Sequence, residues 1–211
     1  LALLTGAADG IRRRAFIRAL ADNLRDVAAQ ISTLWAPSGG DFAGKFARPG
    51  SAGSPYPGVK EALDDLINRM IFFTEFTADT RLGRPLGLVG GGGGLPDPTA
   101  VEARRSDSSR EDLIADLEGL QALYRGASGG LGLSAQVVLI GEALDAGLRR
   151  AFETALTDVR AISEPLEAAV IAADPQVTQA YASVKELKTR LAVDLVSAFG
   201  STLTFSPYDG D

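Results

Sequence analysis

The side chains that most enzymes use to activate water or to hold a transition metal are missing from this sequence. None of its 211 residues is a histidine or a cysteine. A zinc hydrolase needs imidazoles around the metal, Ser-His catalysis needs the same ring as a base, and thiolate sites need cysteine. A di-iron bundle takes Glu-x-x-His pairs from facing helices. The chain alone therefore cannot form these sites, whereas carboxylate sites for a divalent cation such as Ca²⁺ stay open.

Two carboxylates stand four residues apart in an otherwise apolar stretch. Glu75 and Asp79 share one helix face at this spacing, so they could line a ligand-binding groove between helical domains. A solvent-facing edge on which they pair with Arg69 or Arg81 is the alternative. Arg84 precedes a proline and could bind a ligand carboxylate or clamp two bundles together.

The remaining candidates are one aromatic residue and the acidic end of the chain. Tyr124 could be a ligand platform, with an aromatic at the edge of the core as the alternative. Asp209 and Asp211 flank a glycine and could bind a divalent cation, with a solvated tail as the alternative.

The charge is unevenly distributed along the chain. Residues 1–110 carry 14 basic and 12 acidic side chains, whereas residues 111–211 carry 7 and 15. An acidic second half repels phosphate backbones, so we expect no nucleic-acid partner. No apolar run approaches the roughly 20 residues that span a bilayer, so membrane association would come only through a removed lipid anchor. Because the chain begins at Leu1 rather than Met, we expect a processed, trimmed or partial product.

Large apolar residues recur at steps of three and four, which predicts long amphipathic helices over most of the chain. The first helix carries this pattern from Ile17 to Leu34 and ends at Trp35, and residues 36–55 read as a loop. A second helix begins near Pro57 and ends near Gly83. We expect the first two helices to pack on each other, on a second bundle, or on a segment outside this chain.

A glycine- and proline-rich stretch divides the chain in two. It spans residues 83–107 and includes five consecutive glycines, Gly90 to Gly94, so we expect mobility there. Beyond it, apolar patterns and helix caps predict helices between Ser109 and Gly126, from Ser134 to Val159, through Val170, and from Pro175 to Gly200. Short loops between such helices favour antiparallel packing.

The predicted fold class is therefore all-α, built from up-down helical bundles. Residues 1–90 are assigned to part of a first bundle, to which they contribute two long helices. Residues 91–107 are assigned to a linker. Residues 108–211 are assigned to a second, four-helix bundle with an extended tail.

Three stretches, taken in order, carry a family resemblance. Residues 81–87 read Arg-Leu-Gly-Arg-Pro-Leu-Gly, residues 109–126 read SREDLIADLEGLQALYRG, and residues 203–211 read LTFSPYDGD. Together they resemble the later part of the imelysin-like family, also called insulin-cleaving metalloproteinase outer-membrane proteins. The resemblance covers roughly residues 12–211.

The resemblance implies a protein of the Gram-negative cell envelope, in the periplasm or at the outer membrane, often as a lipoprotein. It implies two helical-bundle domains, a link to iron uptake, an envelope partner, and a divalent cation or an iron species as the cofactor. Some members are described as metallopeptidases through a Gly-x-His-x-x-Glu motif in the first bundle. This chain has no histidine, so no residue here inherits that role.

Three hypotheses follow from these observations. The first is a non-catalytic ligand- or metal-binding envelope protein linked to iron uptake. The second is a metallopeptidase of the same family whose histidine motif lies outside this chain. The third is a structural module that docks a partner helix along the wide apolar face of the helix at residues 59–82.

Overall fold

The computed structural model describes residues 10–90 and 94–204. Helices account for most of these residues, and no β-strand occurs among them. The predicted all-α bundle is therefore confirmed. Within the same two ranges, no helix combines the length and the apolar content that crossing a membrane requires.

The described elements are α-helices, two π-helices and a 3₁₀ turn. In chain order they are α1 (Gly10–Trp35), α2 (Phe42–Ala47), α3 (Val59–Phe76), a π-helix (Thr77–Gly83), a 3₁₀ turn (Pro98–Ala100), α4 (Ser109–Arg125), α5 (Ser134–Ile140), α6 (Glu142–Arg160), α7 (Leu166–Ile171), α8 (Pro175–Arg190), a second π-helix (Leu191–Leu195) and α9 (Val196–Phe199).

The chain forms two compact units that divide between Ala62 and Leu63. The sequence prediction assigned residues 1–90 to the first bundle, whereas the structure places residues from Leu63 onward in the second unit. The assignment of residues 91–107 to a linker and of residues 108–211 to a four-helix bundle stays a prediction.

The first unit is built around α1. Its predicted end at Trp35 is confirmed, and the indole ring of Trp35 meets the Phe42 ring edge to face at 4.9 Å. The turn between α1 and α2 is tight, because a Cβ on Gly39 would lie 2.1 Å from the Thr33 carbonyl oxygen. The stretch at residues 36–55, which was predicted to be a loop, contains the short helix α2, and α2 packs against α1.

The second unit has one continuous apolar core. Helix α6 packs against both α4 and α8, and α8 also packs against the first π-helix. The apolar positions spaced three and four apart in α4, α6 and α8 supply half of the buried apolar residues in the described part of the chain. The largest fully buried side chains are Tyr124, Phe152, Ile67, Met70, Leu82, Leu113, Leu117, Leu148, Ile162, Leu187, Leu191 and Leu195.

The prediction was wrong at the cap of one helix and in the interior of another. Ser109 does not cap α4; it is a buried residue inside the first turn, and its hydroxyl accepts a hydrogen bond from the Ala103 N–H at 3.1 Å. The helix predicted from Ser134 to Val159 is two helices, α5 and α6, which meet at the extended residue Gly141. The break changes the phase of the helix, so Ile140 is exposed rather than buried.

The glycine at the end of the first π-helix is required by close packing. A Cβ on Gly83 would lie 2.5 Å from Val89 Cγ2 and 2.8 Å from Tyr181 Cε2, closer than carbon atoms can approach. By contrast, a Cβ on Gly119, in the middle of α4, would meet nothing within 4 Å. Position 83 therefore excludes a side chain, whereas position 119 has room for one.

We expect Gly83→Ala to lower the free energy of unfolding by about 1–3 kcal/mol, because Val89 and the Tyr181 ring must shift. The matched control, Gly119→Ala, should be neutral or stabilising by up to about 1 kcal/mol, because alanine has a higher helix propensity than glycine at an exposed position inside a helix. Urea denaturation followed by circular dichroism measures both. Equal effects of the two substitutions would contradict the packing described for Gly83.

Candidate functional site

Asp79 lies in the first π-helix and is held by two side chains of α8. Lys185 Nζ donates to both carboxylate oxygens, at 3.0 and 2.9 Å, and the Tyr181 hydroxyl donates to Oδ1 at 3.2 Å. Partial burial, followed by the negative charge of Asp79, raises the pKa of Tyr181 above its usual range. Tyr181 therefore stays a neutral hydrogen-bond donor to Asp79.

Glu75 lies one helical turn before Asp79 and pairs with the same helix. Lys188 Nζ lies 2.8 Å from Glu75 Oε1, and both side chains are mostly buried. Tyr181, Lys185 and Lys188 recur at steps of four and three, so they share one face of α8. The predicted shared face of Glu75 and Asp79 thus meets a complementary basic face, and their partners are these lysines rather than Arg69 or Arg81.

The two arginines considered as partners have other roles. Arg69 pairs with Asp65 on its own helix at 3.2 Å. Arg81 forms ion pairs with Asp116 of α4 and with Glu102, 3.0 Å away, and its guanidinium lies 5.6 Å from the Phe76 ring centroid. Arg81 therefore links the π-helix to α4.

Arg84 follows the π-helix and is exposed. Its backbone N–H donates to the Asp79 carbonyl oxygen at 2.8 Å, which ends the π-helix. The pKa of Asp97 is lowered, first by the hydrogen bond from the Thr99 hydroxyl and to a smaller extent by the charge of Arg84. The guanidinium is thus placed at the surface of the second unit, near a carboxylate of the 83–107 stretch.

Tyr124 belongs to a second polar cluster, centred on the buried carboxylate of Asp145. The Tyr124 hydroxyl and the Ser134 hydroxyl both donate to Asp145 Oδ1, at 2.8 and 2.5 Å. Arg149 Nε donates to Oδ2 at 2.6 Å, and Arg149 Nη2 donates to the Ser134 oxygen at 2.5 Å. The Tyr124 ring stacks on Phe152 with centroids 5.5 Å apart. These bonds join α4, α5 and α6 in one network.

Electrostatics fix the protonation states in this cluster. Burial opposes ionisation of Asp145, but the hydrogen bonds from Ser134, Tyr124 and Arg149 together outweigh it and lower the pKa of this carboxyl. Burial, followed by the hydrogen bond to Asp145, raises the pKa of Tyr124 well above its ordinary value. A charged aspartate therefore accepts bonds from a neutral phenol, which is an arrangement that stabilises packing.

An open apolar groove of about 570 Å³ runs between α3 and α4. Its walls are Leu66, Met70, Phe72, Phe73, Leu120 and Leu123, with Arg69 and Asp116 also lining it. Ala115 and Gly119, one turn apart on α4, leave room between the helices. The groove is concave, mostly apolar and edged by one basic and one acidic group, which are common features of small-molecule sites.

The other two predicted site residues, Asp209 and Asp211, lie outside the described residues. Across residues 10–90 and 94–204, no group of three or more acidic, histidine or cysteine side chains is placed to hold a metal ion. Of the predicted ligand-binding residues, Glu75 and Asp79 lie together against α8, whereas Tyr124 lies in the separate Asp145 cluster.

Sequence reasoning missed the partners of these candidates. Lys185 and Lys188 are more than 100 residues from the carboxylates they bind, and local spacing carries no information about such pairs. Asp145 did leave a signal. It stands three and seven residues before Leu148 and Phe152, at the spacing of the buried face of α6, where a charged residue needs partners.

Over the described residues, these features define a helical-bundle protein in which Glu75 and Asp79 are ion-paired and whose second unit carries an apolar groove. A family model described as Imelysin, Peptidase M75, matches residues 5–193. The chain therefore belongs to the imelysin family.

A solved structure agrees with this assignment at the level of the fold. The crystal structure of an imelysin peptidase from Bacteroides ovatus aligns with a TM-score of 0.74 and 20% sequence identity. The alignment covers 87% of this chain and 53% of that one, so this chain spans about half the length of the solved relative. Among curated proteins, none matches the chain.

We expect Asp145→Asn to lower the free energy of unfolding by about 2 kcal/mol or more at pH 7, because charged hydrogen bonds are lost. The folded-state pKa of Asp145 is lowered, so its contribution is present above about pH 4 and disappears as the pH falls through the folded-state pKa. The gap between wild type and variant should therefore shrink in acid.

Glu153→Gln is the matched control, because Glu153 lies on the same helix as Asp145 and forms an exposed ion pair with Arg125 of α4. It should cost less than about 1 kcal/mol. Denaturant titrations of all three proteins between pH 7 and pH 2 provide the measurement. A gap for Asp145→Asn that widens in acid would refute the assignment of a charged, stabilising Asp145.

Proposed function

We propose that this chain is a binding component of an envelope protein of the imelysin family, without catalytic activity of its own. It acts in the periplasm or at the outer membrane, in the uptake of iron or of another ligand, together with an envelope partner. The observation that carries the proposal is the pairing of Glu75 and Asp79 with Lys188 and Lys185.

The ion pairs support binding over hydrolysis for a chemical reason. A carboxylate that activates water or holds a cation must present its oxygens to substrate or metal. Both oxygens of Asp79 accept hydrogen bonds from Lys185, and Glu75 is held by Lys188. The sequence offers no imidazole or thiolate to take their place.

The groove between α3 and α4 supports a ligand-binding role for the second unit. Its apolar walls suit an apolar or amphipathic molecule, and Arg69 can meet an anionic group on it. Gly119 keeps the α4 wall open, since a side chain there would enter open space.

A metallopeptidase is the second candidate function. It is favoured by the names of the matched family and of the solved relative, both described as peptidases. Because this chain spans about half the length of that relative and contains no histidine, the metal ligands of such an enzyme would lie outside this chain.

Incubation of the purified 211-residue chain with insulin and with casein, with and without added Zn²⁺, tests whether this chain is catalytic by itself. The two functions are distinguished by the encoded sequence before Leu1, where a Gly-x-His-x-x-Glu motif would favour the metallopeptidase and a stretch without histidine would contradict it. We expect no cleavage under either condition, because the chain has no imidazole that could bind Zn²⁺ or act as a general base. Mass spectrometry of the substrates provides the measurement. Cleavage by this chain, whether or not a chelator abolishes it, would contradict the proposal that the chain lacks catalytic activity of its own.

The only methionine in the chain reports on the groove. Met70 lines it, so a ¹³C-methyl label gives a single NMR signal at the proposed site. We expect the anionic apolar probe anilinonaphthalene sulfonate to shift this signal, and Gly119→Leu to weaken the effect at least about tenfold by filling the groove. Glu118→Leu, which adds the same side chain next to the groove, is the control.

A signal from Met70 that the probe leaves unchanged would refute the groove as a ligand site. Ferric citrate tests the link to iron, because paramagnetic Fe³⁺ broadens a methyl signal close to it. If the probe shifts the signal and ferric citrate leaves its width unchanged, the groove binds ligands and the proposed link to iron is wrong.

A further inference from the structure

Arg150 is the one basic side chain of the acidic second half that has no ion pair with a described residue. Residues 111–211 carry 7 basic and 15 acidic side chains. The other six basic side chains each pair with a carboxylate at 2.5–2.9 Å, and they are Arg125, Arg149, Arg160, Lys185, Lys188 and Arg190. Arg150 is exposed on α6, and no carboxylate of residues 10–90 or 94–204 pairs with it. Its charge is therefore free to attract an external anion.

Arg150 lines a pocket of about 270 Å³ between α6 and α8. The other lining residues are Gly147, Ala151 and Thr154 of α6 and Ser183, Glu186 and Arg190 of α8. Because α6 and α8 pack directly against each other in the second unit, the walls of this pocket are fixed by the core. The volume lies just below the range of about 300–1,000 Å³ for drug-sized ligands, so the pocket suits a small molecule.

Arg190 brings a second guanidinium to this pocket from α8. A Cβ on Gly147 would lie 3.5 Å from Arg190 Nη1, so the end of the Arg190 side chain reaches across to α6. Arg150 follows Gly147 by three residues, which places it one turn further along the same side of α6. Two positive groups from different helices therefore lie beside one pocket.

The carboxylates near Arg190 neutralise only part of this charge. Glu186 Oε1 lies 2.9 Å from Arg190 Nε, whereas Asp194 Oδ2 lies 3.4 Å from Nη1, at the weak limit for a hydrogen bond. The charged side chains that line the pocket are two arginines and one glutamate. The pocket therefore keeps a net positive charge in the acidic half of the chain.

We propose that this pocket binds a small organic anion whose carboxylate or phosphate group lies between Arg150 and Arg190. The inference is independent of the proposed function, because the groove between α3 and α4 shares none of these residues. A guanidinium donates two parallel hydrogen bonds to such a group, so arginines from two helices hold it from two sides.

The other polar side chains of the pocket define what else the anion carries. Thr154 lies one turn after Arg150 on α6, and its hydroxyl can donate a further hydrogen bond to the anionic group. Glu186 is an acceptor at the same pocket and can bind a hydroxyl of the ligand. The ligand class is therefore a hydroxy acid or a phosphate ester with a free hydroxyl.

Isothermal titration calorimetry of the 211-residue chain at constant ionic strength tests the proposal. The probes are inorganic phosphate and malate, a dicarboxylate with one hydroxyl group. We expect saturable binding of at least one probe with a dissociation constant below about 5 mM. Binding of phosphate alone would assign the pocket to a phosphate group, and binding of malate alone to a carboxylate. If neither probe gives saturable heat, the proposed site is wrong.

Arg150→Gln should raise the dissociation constant at least about tenfold, because it removes a charge and a paired donor from the anion. Arg150 has no ion pair to lose within the described residues, so the fold should survive, which circular dichroism checks. Arg160→Gln is the matched control, because this arginine of α6 is exposed and pairs with Glu118 instead. Equal weakening by both variants would indicate non-specific attraction and would overturn the site.

Gly147→Leu separates the pocket from its charge, because it fills the space beside Arg190 and leaves every charged side chain in place. We expect it to weaken binding at least about tenfold. Leucine favours a helix more than glycine does, so α6 should persist. The matched control is Ala143→Leu, which adds the same side chain at an exposed position of α6. Unchanged affinity in Gly147→Leu would place the anion outside the pocket and contradict the proposal.

Discussion

Burial of large aliphatic side chains between α4, α6 and α8 is the interaction on which the second unit depends. These helices share one core, and the first π-helix joins it through Ala78 and Leu82. The polar contacts that join different elements of this unit form because the core brings their partners together. Asp79 meets Lys185, for example, because the π-helix and α8 are packed side by side. Hydrophobic packing therefore determines which charged side chains lie close together, and side chains of opposite charge pair among those neighbours.

The helices could be predicted because burial leaves a local record in the sequence. Leu113, Leu117, Leu120 and Tyr124 repeat at helical spacing, and all four are buried on one side of α4. Asp174 followed by Pro175 predicted the start of α8, and Asp174 Oδ1 does accept the Gln176 N–H at 3.0 Å. The family resemblance also rested on ordered stretches of sequence, and the matched family agrees with it.

The rest of the site could not be predicted, because it depends on which helices become neighbours. Nothing near Glu75 or Asp79 indicates that their partners are lysines of α8. The break at Gly141 was missed for a related reason, since the apolar spacing of α5 and α6 reads as one continuous helix. Spacing also predicts that a helix face is apolar without saying what covers it, and α1 illustrates this, because its apolar residues are exposed.

The pairs that join Glu75 and Asp79 to α8 also bear on how the second unit folds. They connect segments more than 100 residues apart, whereas α5 and α6 are adjacent in the chain and α4 and α6 are separated by a short connection. Closing a long loop costs more chain entropy than closing a short one. Helical hairpins of the later segment can therefore assemble first, and α3 with its π-helix can add to a surface that is already formed. The contacts of Lys185 and Lys188 with Asp79 and Glu75 would then form late in folding, once α3 with its π-helix has packed against α8.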